Sequence, residues 1–97
     1  MKAVFLVYNQ SLSGQIREIL DQQSVRGFTE WTEITGNGSF KGVPHAGTHT
    51  WPELNNAYLM ITEDEKVQPL LDRLHSLDSS VEDQGLHAFV WNIETMI

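Results

Sequence analysis

A few groups of side chains in this sequence have the type and spacing to do chemistry. Gly36-Asn37-Gly38 sets two glycines around one residue, which lets backbone N–H groups close on an anion. A tight turn at the end of a strand uses the same residues. His45 and His49 stand four apart, the spacing at which two imidazoles on one helical face hold zinc. Pro44, Gly47 and Pro52 oppose a helix there, and Glu53 is merely the nearest acid, so an exposed titrating pair is the competing reading. His87 lies in the apolar run Leu86-His87-Ala88-Phe89-Val90-Trp91, where an imidazole serves an interface or a core more readily than catalysis. Trp51, followed by Pro52, can plug a neighbouring subunit, stack on a planar ligand or anchor a partner. Glu63-Asp64-Glu65 has the look of a metal-binding trio, but acids gather in the same way at a helix amino end. The serines form no nucleophile elbow, so nothing here assembles a hydrolase.

These groups sit on one small domain spanning 1–97, since 97 residues leave no room for a second core. Thirteen acids against six bases give a net charge of -7, which repels phosphate backbones and anionic membrane surfaces. Nucleic acid is therefore not an expected partner. With no cysteine there are no disulfides, thiolate zinc sites or thiol nucleophiles. No apolar run reaches the roughly 18–20 residues that cross a bilayer. The start Met1-Lys2-Ala3-Val4-Phe5 lacks the parts of a signal peptide, so a cytoplasmic protein without direct membrane insertion is expected.

Hydrophobic periodicity supplies the elements. The run 2–8 is a strand, closed by Asn9. Leu12, Ile16, Ile19 and Leu20 form one helical face behind a Ser11 or Ser13 cap, and 22–24 ends that helix weakly. A second strand covers 25–34 and a third 57–61. Between them the glycine-bearing connection 35–52 is long enough to be functional. Thr62 to Glu65 has capping-box spacing ahead of a helix striped by Val67, Leu70, Leu71, Leu74 and Leu77, whose start Pro69 is expected to loosen. Gly85 releases the chain into a fourth strand over 86–93.

The order βαββαβ is ferredoxin-like: an α+β fold with a four-stranded antiparallel sheet and two helices on one face. Strands with one solvated face alternate apolar and polar residues. Here both residue sets are apolar in the first, third and fourth strands: Ala3, Phe5 and Val7 alternate with Val4, Leu6 and Tyr8. Two helices cover one face only, so packing of sheets in an oligomer is expected to cover the other.

From Gly27-Phe28-Thr29 through Gly36-Asn37-Gly38-Ser39-Phe40-Lys41-Gly42, the sequence resembles the nitrogen-regulatory PII signal proteins, and the element order matches across nearly the whole chain. PII proteins and their relatives, including the cation-tolerance protein CutA, are ferredoxin-like trimers whose sheets line a central barrel. The resemblance places Gly36, Gly38, Lys41 and Gly42 at the base of the family's T-loop, with Ser39 and Phe40 in place of an Arg-Gln pair. It puts Thr29, or alternatively Thr32, at the adenine-contacting threonine. The stretch matching the glycine- and lysine-rich B-loop is Asp83-Gln84-Gly85-Leu86-His87, which has no basic residue but histidine.

What the resemblance implies is a homotrimeric, non-enzymatic regulator of the shortened, divergent PII-like kind. It would bind a small effector at subunit clefts and control a partner protein, with membrane and metal-efflux transporters among the candidates. An adenine nucleotide or a divalent metal is the cofactor class to test. Two readings from other classes stand beside it: a metal-binding or metal-tolerance protein using His45 and His49, and a small ferredoxin-like enzyme with His87 in an aromatic cavity.

Overall fold

A computed structural model describes residues 1–36, 54–81 and 85–97. Strand β1 (Lys2–Asn9) runs through a 3-10 turn (Gln10–Leu12) into helix α1 (Ser13–Gln22); β2 (Phe28–Ile34), β3 (Asn55–Thr62), helix α2 (Asp64–Ser80) and β4 (Leu86–Asn92) follow. The sheet order is β2-β3-β1-β4 and every neighbouring pair is antiparallel, as the ferredoxin-like reading requires.

One face of the sheet carries the core. Val4, Leu6 and Tyr8 are fully buried, and their cross-strand neighbours Met60, Tyr58 and Leu86 close around them beneath the two helices. Ile16, Ile19 and Leu20 of α1 and Val67, Leu70 and Leu74 of α2 supply the other half, as their helical spacing predicts. Tyr8 and Tyr58 stack with ring centroids 6.0 Å apart. The Tyr58 hydroxyl reaches Arg17 Nη2 at 3.5 Å, and that guanidinium pairs with Glu30 Oε2 at 3.3 Å. Burial first, then the hydrogen bond with Glu30, hold the Tyr58 phenol far above the ordinary tyrosine range, against a smaller lowering by Arg17. The Tyr8 hydroxyl is buried with no hydrogen-bond partner among the described residues.

Several boundaries differ from the sequence expectation, each for a local reason. Strand β2 begins at Phe28 rather than residue 25, because Val25 closes α1 instead. Ser24 adopts φ 57°, its N–H bonds the Asp21 carbonyl, and the Val25 N–H bonds the Leu20 carbonyl at 2.9 Å. This double closure is a Schellman motif made with serine in place of glycine, and it buries Val25; the helix end is firm, not weak. Neither serine caps the first helix. Asn9 accepts from the Ser11 N–H at 2.8 Å, and the Ser13 hydroxyl donates to the Gln10 carbonyl. The capping box of α2 does not form: Thr62 is a buried strand residue and Glu63 makes no side-chain cap bond.

What stabilises that helix start is charge. The Met1 ammonium lies 3.0 Å from Asp64 Oδ1, and its hydrogen bond holds the Asp64 carboxyl below the usual range. The helix runs through Pro69 without a break. The carbonyl that loses its donor there belongs to exposed Glu65, where water can satisfy it.

Two tyrosines of similar burial should respond oppositely to loss of the hydroxyl. Tyr8→Phe is expected to leave stability unchanged or raise it by about 1 kcal/mol, whereas Tyr58→Phe costs about 1 kcal/mol; urea unfolding of both variants checks this.

Candidate functional site

The second face of the sheet is also apolar, and neither helix covers it. Cross-strand registers set its side chains in rows running from β4 to β2. One row is His87, Val7, Ala57 and Trp31; the next is Phe89, Phe5, Leu59 and Thr29; a third is Trp91, Ala3 and Ile61. Small residues lie in the middle and rings at the margins. Ala3 and Ala57 are buried, whereas Trp31, Phe89 and Trp91 are 43%, 55% and 48% exposed. The Phe5 and Trp31 rings meet edge-on at 6.3 Å, and His87 stacks against Phe89 at 6.4 Å. Rings of 150–250 Å² left half open amount to about 300 Å² of apolar surface from these three alone, the size of a whole largest patch on a typical monomer.

At one end of this face the connections of the fold meet. The Asn9 N–H donates to the Gly85 carbonyl at 3.1 Å, and the Gln10 N–H donates to the Leu54 carbonyl at 2.9 Å. The end of β1 therefore ties together the points where the chain returns after 37–53 and after 82–84. Polar side chains fill the junction, with Asn9, Asn55 and Asn56 all buried. Asn56 Nδ2 donates to Ser13 Oγ at 3.0 Å, and Asn56 Oδ1 accepts the Glu33 N–H at 3.0 Å. Glu33 stands at φ 55° in an irregularity where three steps of β2, Trp31 to Ile34, oppose two of β3. That is a bulge with a non-glycine residue in the left-handed region, held by the Asn56 amide. Gly36 comes next, and a Cβ on it would sit 2.7 Å from Asn55 Nδ2, so any other residue there would have to displace that amide.

Only some of the residues singled out in the sequence fall within the described part of the structure. Thr29 is exposed on the open face at the β2 edge, and Gly36 sits at the junction against Asn55. Gly38, Lys41, Gly42, His45, His49 and Trp51 lie outside the described residues. His87 is exposed on the open face. A groove of about 280 Å³ lies elsewhere, between α1 and α2 along Gln15, Glu18, Arg73 and Leu77. Among the described residues no three His, Asp or Glu side chains are grouped to hold a metal. No described helix is long and apolar enough to cross a membrane. The asparagine junction and the bulge were not read from the sequence. Their signals were the polar stop at Asn9 and the Asn55-Asn56 pair before Ala57, both of which look like ordinary turn residues.

No family model matches the chain, and no curated protein matches its sequence. Its structure, by contrast, is similar to solved PII-like proteins. CPII, a nitrogen regulatory PII-like protein from Thiomonas intermedia K12 bound to ADP, AMP and bicarbonate, superposes with a TM-score of 0.69. That match covers 99% of this chain and 94% of CPII at 17% identity. The apo form of CPII gives a TM-score of 0.62 at 12% identity, over 95% of this chain and 89% of that one. A PII-like signaling protein from Thermus thermophilus matches at 0.65 and 18% identity, over 95% of this chain and 85% of its own. The chain has the α+β, ferredoxin-like fold of PII-like signaling proteins.

The junction makes a paired prediction. Asn56→Ala, which leaves the Glu33 N–H without its acceptor, is expected to cost about 1–3 kcal/mol in chemical unfolding. Glu33→Gly, which relieves the left-handed strain, is expected to be neutral or stabilising by about 1 kcal/mol.

Proposed function

We propose that this chain is a divergent PII-like regulator that works as a homotrimer. Three copies bury their open sheet faces against one another, a small effector binds in the clefts between copies, and the 35–52 segment presents Trp51 and its neighbours to a partner protein. The observation that carries the reading is the uncovered apolar face on a chain of this fold. A surface set with Phe5, Leu59, Phe89 and Trp91 is costly to leave in water, and a closed ring of copies removes it.

The effector is of the adenine-nucleotide class, the class carried by CPII. Charge narrows the choice. Lys41 is the one cation in the matched loop of a chain with net charge -7, so a nucleotide with few phosphates, such as AMP or ADP, is favoured over the triphosphate. Thr29, at the β2 edge of the open face, stands where a neighbouring copy would make one wall of a cleft. Gly36, Gly38 and Gly42 would let backbone amides approach the phosphates. The mechanism is ordering by ligand: an effector that binds one arrangement of the connecting segment better than another shifts the population and so changes what the partner meets. The partner is a protein, with a membrane transporter as the candidate class, and the site of action is the cytoplasm. No chemical step is assigned to the regulator itself.

Sedimentation velocity at micromolar concentration is expected to give a species of about 33 kDa, three times the 11.0 kDa chain. Phe89→Glu, which would place a charge in the contact, should weaken assembly at least about 100-fold. A sole monomer in the unsubstituted protein would overturn the assembly. In a thermal-shift screen, ADP or AMP is expected to raise Tm with ATP weaker, and Lys41→Ala to abolish the shift. No shift with any adenine nucleotide would remove the effector class.

A further inference from the structure

We infer that assembly through the open face is switched by protonation of His87. The inference rests on the trimer proposed above and deepens it. Taken along the registers of all four strands, the paired positions of the open face carry one titratable side chain among the described residues, and that side chain is His87. What faces it is neutral on every strand. Phe89 stacks on it from its own strand, Val7 lies opposite on β1 with Asn9 one row on, Ala57 and Asn55 follow on β3, and Trp31 closes its row on β2. The two carboxylates of β2 lie away from the row of His87. Glu30 is on the helix-covered face against Arg17, and Glu33 stands in the bulge of β2, at the opposite edge of the sheet from His87. The Met1 ammonium is at the far end of the sheet, paired with Asp64.

An imidazole in that setting has nothing to offset a positive charge once another copy covers it. Exposed on the single chain, the imidazole keeps its contact with water; beneath an apolar contact an imidazolium loses its hydration and gains no counter-charge. Each copy contributes one such group, so closing a trimer must expel up to three protons. By linkage, each proton taken up on dissociation weakens assembly by up to about tenfold per pH unit of acidification, so three copies together weaken it by up to about 1000-fold per unit. The sign sets this device apart from bulk charge. Acidification toward the pI of about 4.8 reduces the net charge and, acting alone, would tighten assembly. Loosening in acid is therefore specific to a proton taken up at the contact.

The experiment is sedimentation equilibrium of the full chain at pH 7.5 and pH 5.5, beside His87→Gln and His87→Phe, with circular dichroism confirming that all remain folded. Both variants keep His45, His49 and His75, so any acid response of those residues persists in them. The expected result is a trimer at pH 7.5 whose dissociation constant rises by about 100- to 1000-fold at pH 5.5, with the folded variants remaining trimeric at both. A wild-type trimer indifferent to pH, or variants that dissociate as steeply, would overturn the switch while leaving the trimer intact. A monomer at pH 7.5 would overturn the trimer and the switch together. Folded variants that are both monomeric at pH 7.5 would show His87 to be a contact rather than a switch.

Discussion

Everything in this molecule follows from a mismatch between its sheet and its helices. Four strands make two surfaces, and α1 and α2 cover one. The side chains were not chosen for that asymmetry, because Phe5, Leu59, Phe89 and Trp91 on the open side are as apolar as Val4, Leu6 and Met60 on the closed side. In a sheet meant to meet water, the outward row would be polar. The hydrophobic effect has no direction of its own, so it acts on the second surface as it does on the first.

The same strands that hold the apolar rows also collect the polar machinery at one end. β1 is central, paired on both sides, and its last residues bond the chain on either flank through the Gly85 and Leu54 carbonyls. Asparagines suit that junction because a short amide side chain both donates and accepts, and the buried backbone groups of irregular segments need partners of both kinds. Asn56 shows the economy: its amide joins α1 through Ser13 and fixes the β2 bulge through Glu33. A regulator of the kind proposed needs its variable connections rooted in something stiff, and these bonds provide the root.

Electrostatics then separates the two surfaces by what each tolerates. The helix-covered side absorbs charge only where it is paired, as in the Arg17, Glu30 and Tyr58 group. The paired rows of the open side set the imidazole of His87 among rings and aliphatic chains, with Thr29, Asn9 and Asn55 as their neutral polar members.

Much of this was legible in the residue order. Alternation and helical spacing are local, so the element order, the two apolar stripes and the doubly apolar strands could be read off one stretch at a time. What the chain could not reveal in one dimension was which distant groups meet. Val25 reads as a strand residue but closes α1, because its amide has a carbonyl five residues back to satisfy. Asn9, Asn55 and Asn56 read as turn residues but form a buried junction. Cross-strand register alone put His87 in line with Val7, Ala57 and Trp31. Periodicity belongs to neighbours along the backbone, whereas register is a choice among long-range hydrogen-bond pairings, and only the folded sheet makes it.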